Sequence, residues 1–175
     1  MNDLLMLAML LDGPKYGYQL KREAGWIMGR QALHNNVVYP LLRKFLDQKW
    51  VSNKEVPGER GQTRQQYALT AEGRRYLFER LNAFSDGDAS SEEAFNLRVG
   101  LFPGLKPEVR ESILSLRQNY LQMRDGKLQA LQGNMELGKF GTEIVSHMRK
   151  QIEMELDWVQ HLRRISKTIT DRRVS

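Results

Sequence analysis

The sequence predicts a mostly α-helical protein that contains one small β-hairpin and divides into two parts. Three observations predict this fold class. First, an amphipathic helix with a basic outer face precedes two strand-like segments that flank a Pro-Gly turn. Second, another helix follows the hairpin directly. Third, apolar residues in the second half recur at steps of three and four residues, which is typical of long helices that pack along a seam.

The chain begins with two predicted helices. The apolar run of residues 4–11 predicts a buried helix, which ends at the breaker residues 12–14. A second helix is predicted over residues 16–28, and Tyr16, Tyr18 and Lys21 lie near its start. Helix N-termini and polar side chains commonly contact phosphates, so these three residues are candidate phosphate contacts. The alternative for Tyr18 is half-buried packing.

The amphipathic helix that includes residues 36–47 has an apolar face and a polar face. The residues of the apolar face are Val38, Leu41, Leu42, Phe45 and Leu46. Asn35 or Asn36 is expected to cap the helix start. The candidate DNA contacts on and beside the outer face are Asn35, Asn36, Val37, Tyr39, Pro40, Arg43 and Lys44. Their polar groups suit base edges and phosphates, although an ordinary solvated basic face is the alternative.

The hairpin is predicted from residues 50–56 and 63–69, joined by a turn that is rich in Pro and Gly. Lys54, Arg60 and Arg64 lie at or near its tip, where basic side chains can reach phosphates or the minor groove. A helix over residues 70–84 follows, with Thr70 as its N-cap. Helix, hairpin and helix in this order predict a winged helix-turn-helix domain, which binds duplex DNA by placing one helix in the major groove.

Three blocks of sequence carry a family resemblance: GPKYGYQLK at residues 13–21, VVYPLLR at 37–43 and RQQYALTAEGR at 64–74. In this order and spacing they resemble the PadR family of bacterial transcription regulators. The chain departs from the family pattern at Val37, where a small hydroxyl residue is usual, at Lys49, where glycine is usual, and in a less basic wing at residues 61–67. The resemblance implies dimers joined by C-terminal helices, and effectors that are small aromatic or hydrophobic molecules.

The charge distribution agrees with a DNA-binding first half. The chain has 175 residues, a net charge of +6 and no cysteine. Residues 1–84 hold 13 Lys and Arg against 8 Asp and Glu, hence +5, whereas residues 85–175 hold 14 against 13, hence +1. A basic domain attracts polyanions. Neither a secretion signal nor an apolar run of about 20 residues is apparent, so we expect a cytoplasmic protein without membrane contact.

The second half predicts a helical, coiled-coil-like dimerisation domain. Small and acidic residues at 85–91 are interpreted as a linker between a domain of residues 1–84 and one of residues 92–175. Helices are predicted over residues 92–102, 107–131 and 139–165. The predicted seams of the two long helices consist of Val109, Ile113, Leu116, Tyr120 and Met123, and of Ile144, Met148, Ile152, Leu156, Val159 and Leu162. Two helices alone cannot bury one narrow apolar stripe per helix completely. A second chain would bury the remaining apolar surface, so we expect a homodimer through these C-terminal helices.

The sequence shows no recognisable catalytic or metal-binding pattern. His34, His147 and His161 have none of the spacings of a metal site, and neither a phosphate-binding loop nor a nucleophile elbow occurs. Without cysteine there is no thiol nucleophile. We therefore expect no enzyme activity and no cofactor.

These observations together predict a homodimeric repressor that binds double-stranded DNA at a roughly palindromic operator. The family resemblance implies that it responds to a small hydrophobic or aromatic effector. The candidate effector-binding residues are Tyr120, Met123, Met154 and Trp158, for which helix packing is the alternative that we prefer. The alternative function is a winged-helix module that binds another protein without sequence-specific DNA binding. A docking surface of that kind would need an apolar outer face, and Val37 and Pro40 are too few to form one.

Overall fold

A computed structural model describes residues 2–27, 33–57, 62–134 and 137–168. The chain divides into two compact units, the N-terminal unit (Met1–Ala83) and the C-terminal unit (Phe84–Ser175). The first combines helices with a small antiparallel sheet, and the second is helical in its described residues. The predicted fold class, mostly α with a small β-hairpin, is confirmed. Within the described ranges, none of the helices combines the length and apolarity that crossing a membrane requires.

The N-terminal unit contains a short sheet surrounded by helices. Its described elements are α1 (Asn2–Ala8), β1 (Lys15–Tyr16), α2 (Gly17–Ile27), α3 (Asn35–Asp47), β2 (Val51–Pro57), β3 (Thr63–Leu69) and α4 (Ala71–Asn82). The strands are antiparallel in the order β1-β3-β2. Val51 pairs with Leu69 at one end of the hairpin and Pro57 pairs with Thr63 at the other. The hairpin of β2 and β3 is the predicted wing.

The first two predicted helices differ from the structure at their ends. α1 ends at Ala8 rather than at residue 11, although Met9 and Leu10 remain buried in the following turn. Tyr16 belongs to the strand β1 and not to α2, which begins at Gly17. The strand β1 was not predicted, because a strand of two residues has no periodicity.

α3 has the predicted inner face but a different start. Its buried residues Val38, Leu42 and Phe45 all belong to the predicted apolar face. The helix begins at Asn35, so the N-cap is His34 rather than Asn35 or Asn36, and the His34 side chain makes no capping hydrogen bond. Each large apolar side chain buried in this way contributes about 1.5–3 kcal/mol to stability.

The start of α4 is fixed onto the start of β2. Thr70 is the N-cap of α4, and its Oγ1 accepts a hydrogen bond from the Gly73 N–H at 3.0 Å. The same hydroxyl donates to the Lys49 carbonyl oxygen at 2.7 Å, and the Thr70 N–H donates to the Trp50 carbonyl oxygen at 3.0 Å. A Cβ on Gly73 would lie only 1.9 Å from that Trp50 oxygen. Close packing therefore requires a glycine at position 73.

Trp50 connects three elements of the N-terminal unit. Its indole ring stacks on Tyr76 of α4 with the centroids 3.6 Å apart, and the Phe45 ring of α3 lies 6.0 Å away at a tilted angle. The Trp50 N–H donates to the Phe45 carbonyl oxygen at 2.9 Å. Lys49, which turns the chain from α3 into β2, has a left-handed φ of 59°. A side chain in this region of backbone space is strained.

The C-terminal unit is built from helices. Its described elements are α5 (Asp86–Ser90), α6 (Glu92–Gly100), a 3₁₀ turn (Phe102–Gly104), α7 (Pro107–Asn134) and α8 (Gly138–Ser166). The predicted linker of residues 85–91 thus contains a helix. Ser85 and Asp88 form a capping box, in which each side chain accepts a hydrogen bond from the backbone N–H of the other. Ala89 is buried and α5 packs against α7, so this segment belongs to the helical fold.

The buried face of α7 differs from the predicted seam. Its buried residues are Arg110, Ile113, Leu114, Arg117 and Leu121. Within the predicted seam, only Ile113 is fully buried, and Met123 is 50% exposed. In α8, Ile144 is 56% exposed and the neighbouring Val145 is buried instead. Arg110 and Arg117 occupy the buried face of α7. Because these residues are charged, the hydrophobic pattern of the sequence indicated the neighbouring face instead.

The buried guanidinium group of Arg117 is stabilised by hydrogen bonds and by contacts with aromatic rings. Its Nε donates to Glu155 Oε1 of α8 at 2.6 Å, and its Nη1 donates to the Ala89 carbonyl oxygen of α5 at 2.5 Å. The guanidinium carbon lies 5.4 Å from the Phe95 ring centroid and 5.5 Å from that of Tyr120. A buried charge is tolerated only when it is paired and hydrogen-bonded. This one side chain therefore joins α5, α6, α7 and α8.

Replacing Gly73 by Ala should destabilise the N-terminal unit, because the added carbon would overlap the Trp50 carbonyl oxygen. Overpacking of this kind costs about 1–3 kcal/mol. The measurement is the urea midpoint of the purified variant, followed by tryptophan fluorescence. Gly17→Ala is the matched control, since its added carbon would make ordinary contacts of 3.4–3.6 Å. An unchanged midpoint for Gly73→Ala would contradict the packing requirement.

Replacing Lys49 by Gly should stabilise the protein by about 0.5–1 kcal/mol, because glycine adopts a positive φ without steric cost. Thermal unfolding measures this change as a raised midpoint. Lys49→Ala is the control, since it removes the same charge but keeps the Cβ that strains the backbone at φ 59°. Equal stabilisation by both substitutions would mean that the charge, and not the backbone, is responsible.

Candidate nucleic-acid interface

The packing of α3 leaves a continuous row of its side chains at the surface. Its predicted contact residues are exposed, or half-buried in the case of Val37: Asn35, Asn36, Val37, Tyr39, Pro40, Arg43 and Lys44. The burial of Val38, Leu42 and Phe45 on the opposite side fixes the rotation of the helix. The exposed side therefore offers amide, phenol, guanidinium and ammonium groups together with two apolar side chains.

Four tyrosines line a cleft beside α3, which we call the tyrosine cleft. It has a volume of about 260 Å³ and is lined by Tyr16, Gly17, Tyr18, Tyr39, Arg64, Gln65 and Tyr67. These residues come from β1, α2, α3 and β3. Three separate parts of the sequence thus converge at one place, and they include four of the predicted contact residues.

The aromatic rings and the guanidinium in the cleft are arranged against one another. The rings of Tyr16 and Tyr18 stack with their centroids 5.8 Å apart. The guanidinium carbon of Arg64 lies 5.9 Å from the Tyr18 ring centroid, which is within the range of a cation–π contact. Arg64 therefore places a positive charge at the cleft, while the tyrosines supply flat rings and hydroxyl donors.

The strand β1 positions the first turn of α2 against the cleft. Lys15 pairs with Tyr67 and Tyr16 pairs with Gln66 across the sheet. The Gln19 side chain accepts a hydrogen bond from the Tyr16 N–H at 2.8 Å, which fixes the turn from strand into helix. Gly17, the first residue of α2, lies beside the rings of Tyr39 and Tyr67, where an added Cβ would make ordinary contacts of 3.4–3.6 Å.

Hydrogen bonds across the wing orient Gln65. Its Oε1 accepts from Asn53 Nδ2 at 2.9 Å, and its Nε2 donates to Glu55 Oε1 at 3.0 Å. Lys54 is exposed on β2. Arg60 falls outside the residues that the structure describes. The carboxylate of Glu55 reduces the positive charge of the wing, in keeping with its less basic sequence.

Tyr67 lies at the base of the cleft and is only 8% exposed. Burial raises the pKa of the Tyr67 hydroxyl above its usual value, and the neighbouring Tyr39 adds to the rise. The hydroxyl therefore stays protonated at neutral pH and can act as a hydrogen-bond donor. A guanidinium together with phenolic donors is a set of groups that suits a phosphate oxygen.

Lys44 lies apart from the other predicted contacts. Its Nζ is 5.8 Å from the centroid of the Trp50 ring. At about 100° per residue, Lys44 lies about 140° around α3 from Tyr39, whereas Arg43 lies only about 40° from it. Arg43 therefore shares the side of α3 that borders the cleft, and Lys44 lies on the opposite flank. Lys21 is half-buried one turn beyond Tyr18 in α2.

Two residues that line the cleft, Gln65 and Gly17, were not among the predicted contacts. The signal that could have found Gln65 is its place between Arg64 and Tyr67 on the same strand. Gly17 becomes informative only once β1 is known, because β1 brings the glycine against Tyr39.

The candidate effector residues lie in the C-terminal unit. Met123 is 50% exposed and Met154 is 70% exposed. Tyr120 lies half-buried beside the Arg117 guanidinium. Trp158 meets Phe95 edge to face, with the centroids 5.6 Å apart. Among the described residues, no group of three or more His, Asp and Glu side chains is arranged to hold a metal ion.

Comparison with known proteins finds one family model that is similar to part of the N-terminal unit. Residues 6–79 match the model of the family described as "Transcriptional regulator PadR-like family". This is a family of regulators, in agreement with the expectation that the chain is not an enzyme. No curated protein matched the sequence.

Several solved structures are similar. The structure of Bacillus subtilis PadR in complex with operator DNA is 18% identical, with a TM-score of 0.46 over 96% of this chain and 98% of that chain. The structure of smu.1604c from Streptococcus mutans is 15% identical, with a TM-score of 0.40 over 91% and 96% of the two chains. A PadR family transcriptional regulator from Eggerthella lenta is 31% identical, with a TM-score of 0.39 over 44% and 65%.

Proposed function

Because residues 6–79 match the model of the PadR-like family of transcriptional regulators, we propose that the N-terminal unit binds an operator in double-stranded DNA. The observation that carries this proposal is the convergence of the tyrosine cleft with the exposed side of α3. Arg43 is exposed on α3, about 40° around the helix from Tyr39, and Arg64 lines the cleft from the wing. A surface that combines a helix for base edges with cationic and phenolic groups for phosphates suits duplex DNA.

The exposed side of α3 supplies the base contacts in this proposal. The Arg43 guanidinium suits the paired acceptors of a guanine, and the Asn36 amide suits an adenine. Val37 and Pro40 are apolar and suit the methyl group of a thymine. Asn35 and Asn36 lie in the first turn of the helix, the part that enters the major groove in winged and related helix-turn-helix domains.

The tyrosine cleft and the wing supply the phosphate contacts. Tyr16, Tyr18 and Tyr39 offer hydroxyl donors, and Arg64 offers a charged group at the same place. The contact residues of the wing and α2 beyond the cleft are Lys21, Lys54 and Arg60. Such contacts set the register of a protein on DNA and make its affinity salt-dependent.

In this proposal the protein acts as a homodimeric repressor in the cytoplasm. Two copies held by the C-terminal helices would present two α3 helices about one DNA turn apart, which favours a roughly palindromic operator. Occupying such a site near a promoter would block transcription. A small hydrophobic or aromatic effector bound near Tyr120, Met123, Met154 and Trp158 would release the repressor by altering the helical unit.

Selection of random duplex DNA by the purified protein at about physiological salt tests the function, followed by a salt titration on the selected sequence. The proposal predicts an enriched inverted repeat that is bound at least about a thousandfold more tightly than random DNA. Binding to all sequences alike would overturn the operator proposal and favour a winged-helix module with another partner.

Arg43→Ala should weaken binding to the selected operator by about ten- to a hundredfold and relax the preference at one base pair, because the side chain reads a base. The measurement is a titration of operator and of single-base variants at fixed salt. Lys44→Ala is the matched control, since it removes one charge from the same helix on the opposite flank. An equal effect of both substitutions would contradict the assigned side of α3.

Arg64→Ala should weaken binding to all sequences alike and reduce the slope of log affinity against log salt by about one, because the side chain meets a phosphate. Arg80→Ala is its control, since Arg80 is exposed in the last turn of α4 and outside the cleft lining. An unchanged salt slope in Arg64→Ala would remove the wing side of the cleft from the interface.

A further inference from the structure

A stripe of exposed residues runs along the whole length of α8. It consists of Phe140, Ile144, His147, Gln151, Met154, Trp158, His161 and Ile165. These residues follow one another at alternating steps of four and three, the spacing of a coiled-coil seam. Phe140 is 82% exposed and Met154 is 70% exposed, although both are large apolar side chains. We call this surface the outer stripe.

The outer stripe is distinct from the face with which α8 packs against α7. The residues buried on that inner face are Val145, Ile152, Val159 and Leu162. α8 therefore carries two apolar seams, and the C-terminal unit buries only one of them. Five large apolar or aromatic side chains, those of Phe140, Ile144, Met154, Trp158 and Ile165, are exposed along the outer stripe, and exposed apolar surface of this extent marks an interaction site.

One flank of the outer stripe carries charges that alternate in sign. The four residues are Glu143, Lys150, Asp157 and Arg164, which follow one another at steps of seven and are all exposed. The residues of the opposite flank take part in the packing of the C-terminal unit itself. There, Met148 lies half-buried, Leu162 is buried, and Glu155 accepts a hydrogen bond from Arg117.

We propose that the outer stripe pairs with the outer stripe of a second copy of this chain, with the two α8 helices antiparallel. This proposal rests on the homodimer of the proposed function and specifies its interface. Reversing one helix brings the same flank of both helices together. Glu143 then faces the partner's Arg164, and Lys150 faces the partner's Asp157. The two-fold symmetry repeats both pairs, so each of the eight flanking charges meets an opposite one.

The same register also aligns the side chains of the stripe. Each layer contains one stripe residue from each helix. The layers are Phe140 with the partner's Ile165, Ile144 with the partner's His161, His147 with the partner's Trp158, and Gln151 with the partner's Met154. Every layer contains at least one large apolar or aromatic side chain. Met154 and Trp158, two of the candidate effector residues, thus become interface residues.

A parallel pairing does not fit these residues. It would place each residue of the stripe opposite itself, so that His147 meets the partner's His147 and Gln151 meets the partner's Gln151. Its flanking charges would face the opposite flank, where Met148 and Leu162 offer no charge. Lys150 alone would find a carboxylate, that of Glu155, which already bonds Arg117. The charge pattern therefore selects the antiparallel arrangement.

Charge reversal in the full-length protein tests the pairing. We expect Lys150→Glu and Asp157→Lys each to weaken dimerisation by on the order of tenfold in sedimentation equilibrium at about 0.1 M salt, where the Debye length is about 10 Å. The double variant K150E/D157K restores the opposite charges and should return the dimer to its parental strength. Glu153→Lys is the control on the same helix, since Glu153 is exposed and outside both flanks.

Two outcomes of the charge reversals would overturn the antiparallel pairing. One is a double variant that dimerises no better than the single variants. The other is a parent chain that is monomeric at the concentrations used. All of these positions are exposed, so the substitutions should not unfold the protein, and circular dichroism of each variant verifies this.

Disulfide cross-linking tests the direction independently, because the chain contains no cysteine of its own. An equimolar mixture of Phe140→Cys and Ile165→Cys variants should form a cross-linked dimer under mild oxidation. Each variant alone should remain largely uncross-linked, since the two positions lie at opposite ends of α8. Efficient self-linking of Ile165→Cys would instead show a parallel pairing and overturn the proposal, as would the absence of any cross-link.

The results separate the interface from the proposed function. Selection of an inverted repeat by a chain whose charge variants dimerise like the parent would overturn this interface and leave operator binding intact. Restored dimerisation in K150E/D157K without any selected DNA sequence would support the interface and overturn operator binding.

Discussion

The close approach of Gly73 to the Trp50 carbonyl oxygen is the constraint on which the rest of the N-terminal unit depends. It places the first turn of α4 directly on the residue that precedes β2. Thr70 reinforces the contact from both its backbone and its hydroxyl, and Phe45 holds Trp50 from the side of α3. The wing therefore leaves the core at a fixed point relative to α3. A regulator that reads DNA with one helix and a hairpin requires this relation to be rigid.

The tyrosine cleft is a consequence of that rigidity. Arg64 and Tyr67 lie on β3, which is paired on one side to β2 and on the other to the two residues of β1. β1 in turn brings Gly17 and the start of α2 against Tyr39. No single helix or strand forms the cleft, because it lies where four elements meet. A substitution that loosens the Trp50 junction would displace the wing side of the cleft without touching any residue that lines it.

The sequence predicted those parts of the fold that have a period or a cap. The apolar face of α3, the wing strands and the Thr70 cap follow from spacing and residue type. The strand β1 was missed because two residues carry no pattern and gain their structure only from pairing with β3. The buried face of α7 was missed for a different reason, since Arg110 and Arg117 occupy it and a hydrophobic pattern counts arginine as exposed. The Phe95 ring and the Glu155 carboxylate help to accommodate the buried Arg117 side chain, and both come from distant parts of the chain.

The alternating charges beside the outer stripe also specify one register of the proposed α8 pair. Sliding one helix by a heptad in one direction would place Glu143 opposite the partner's Asp157 and Lys150 opposite the partner's Lys150. Sliding it in the other direction would place Lys150 opposite the partner's Arg164 and Asp157 opposite the partner's Asp157. Either shift creates only like-charge contacts and displaces the helices by about 10 Å. In the proposed pair, the charge pattern therefore selects one register as well as one direction of the two α8 helices.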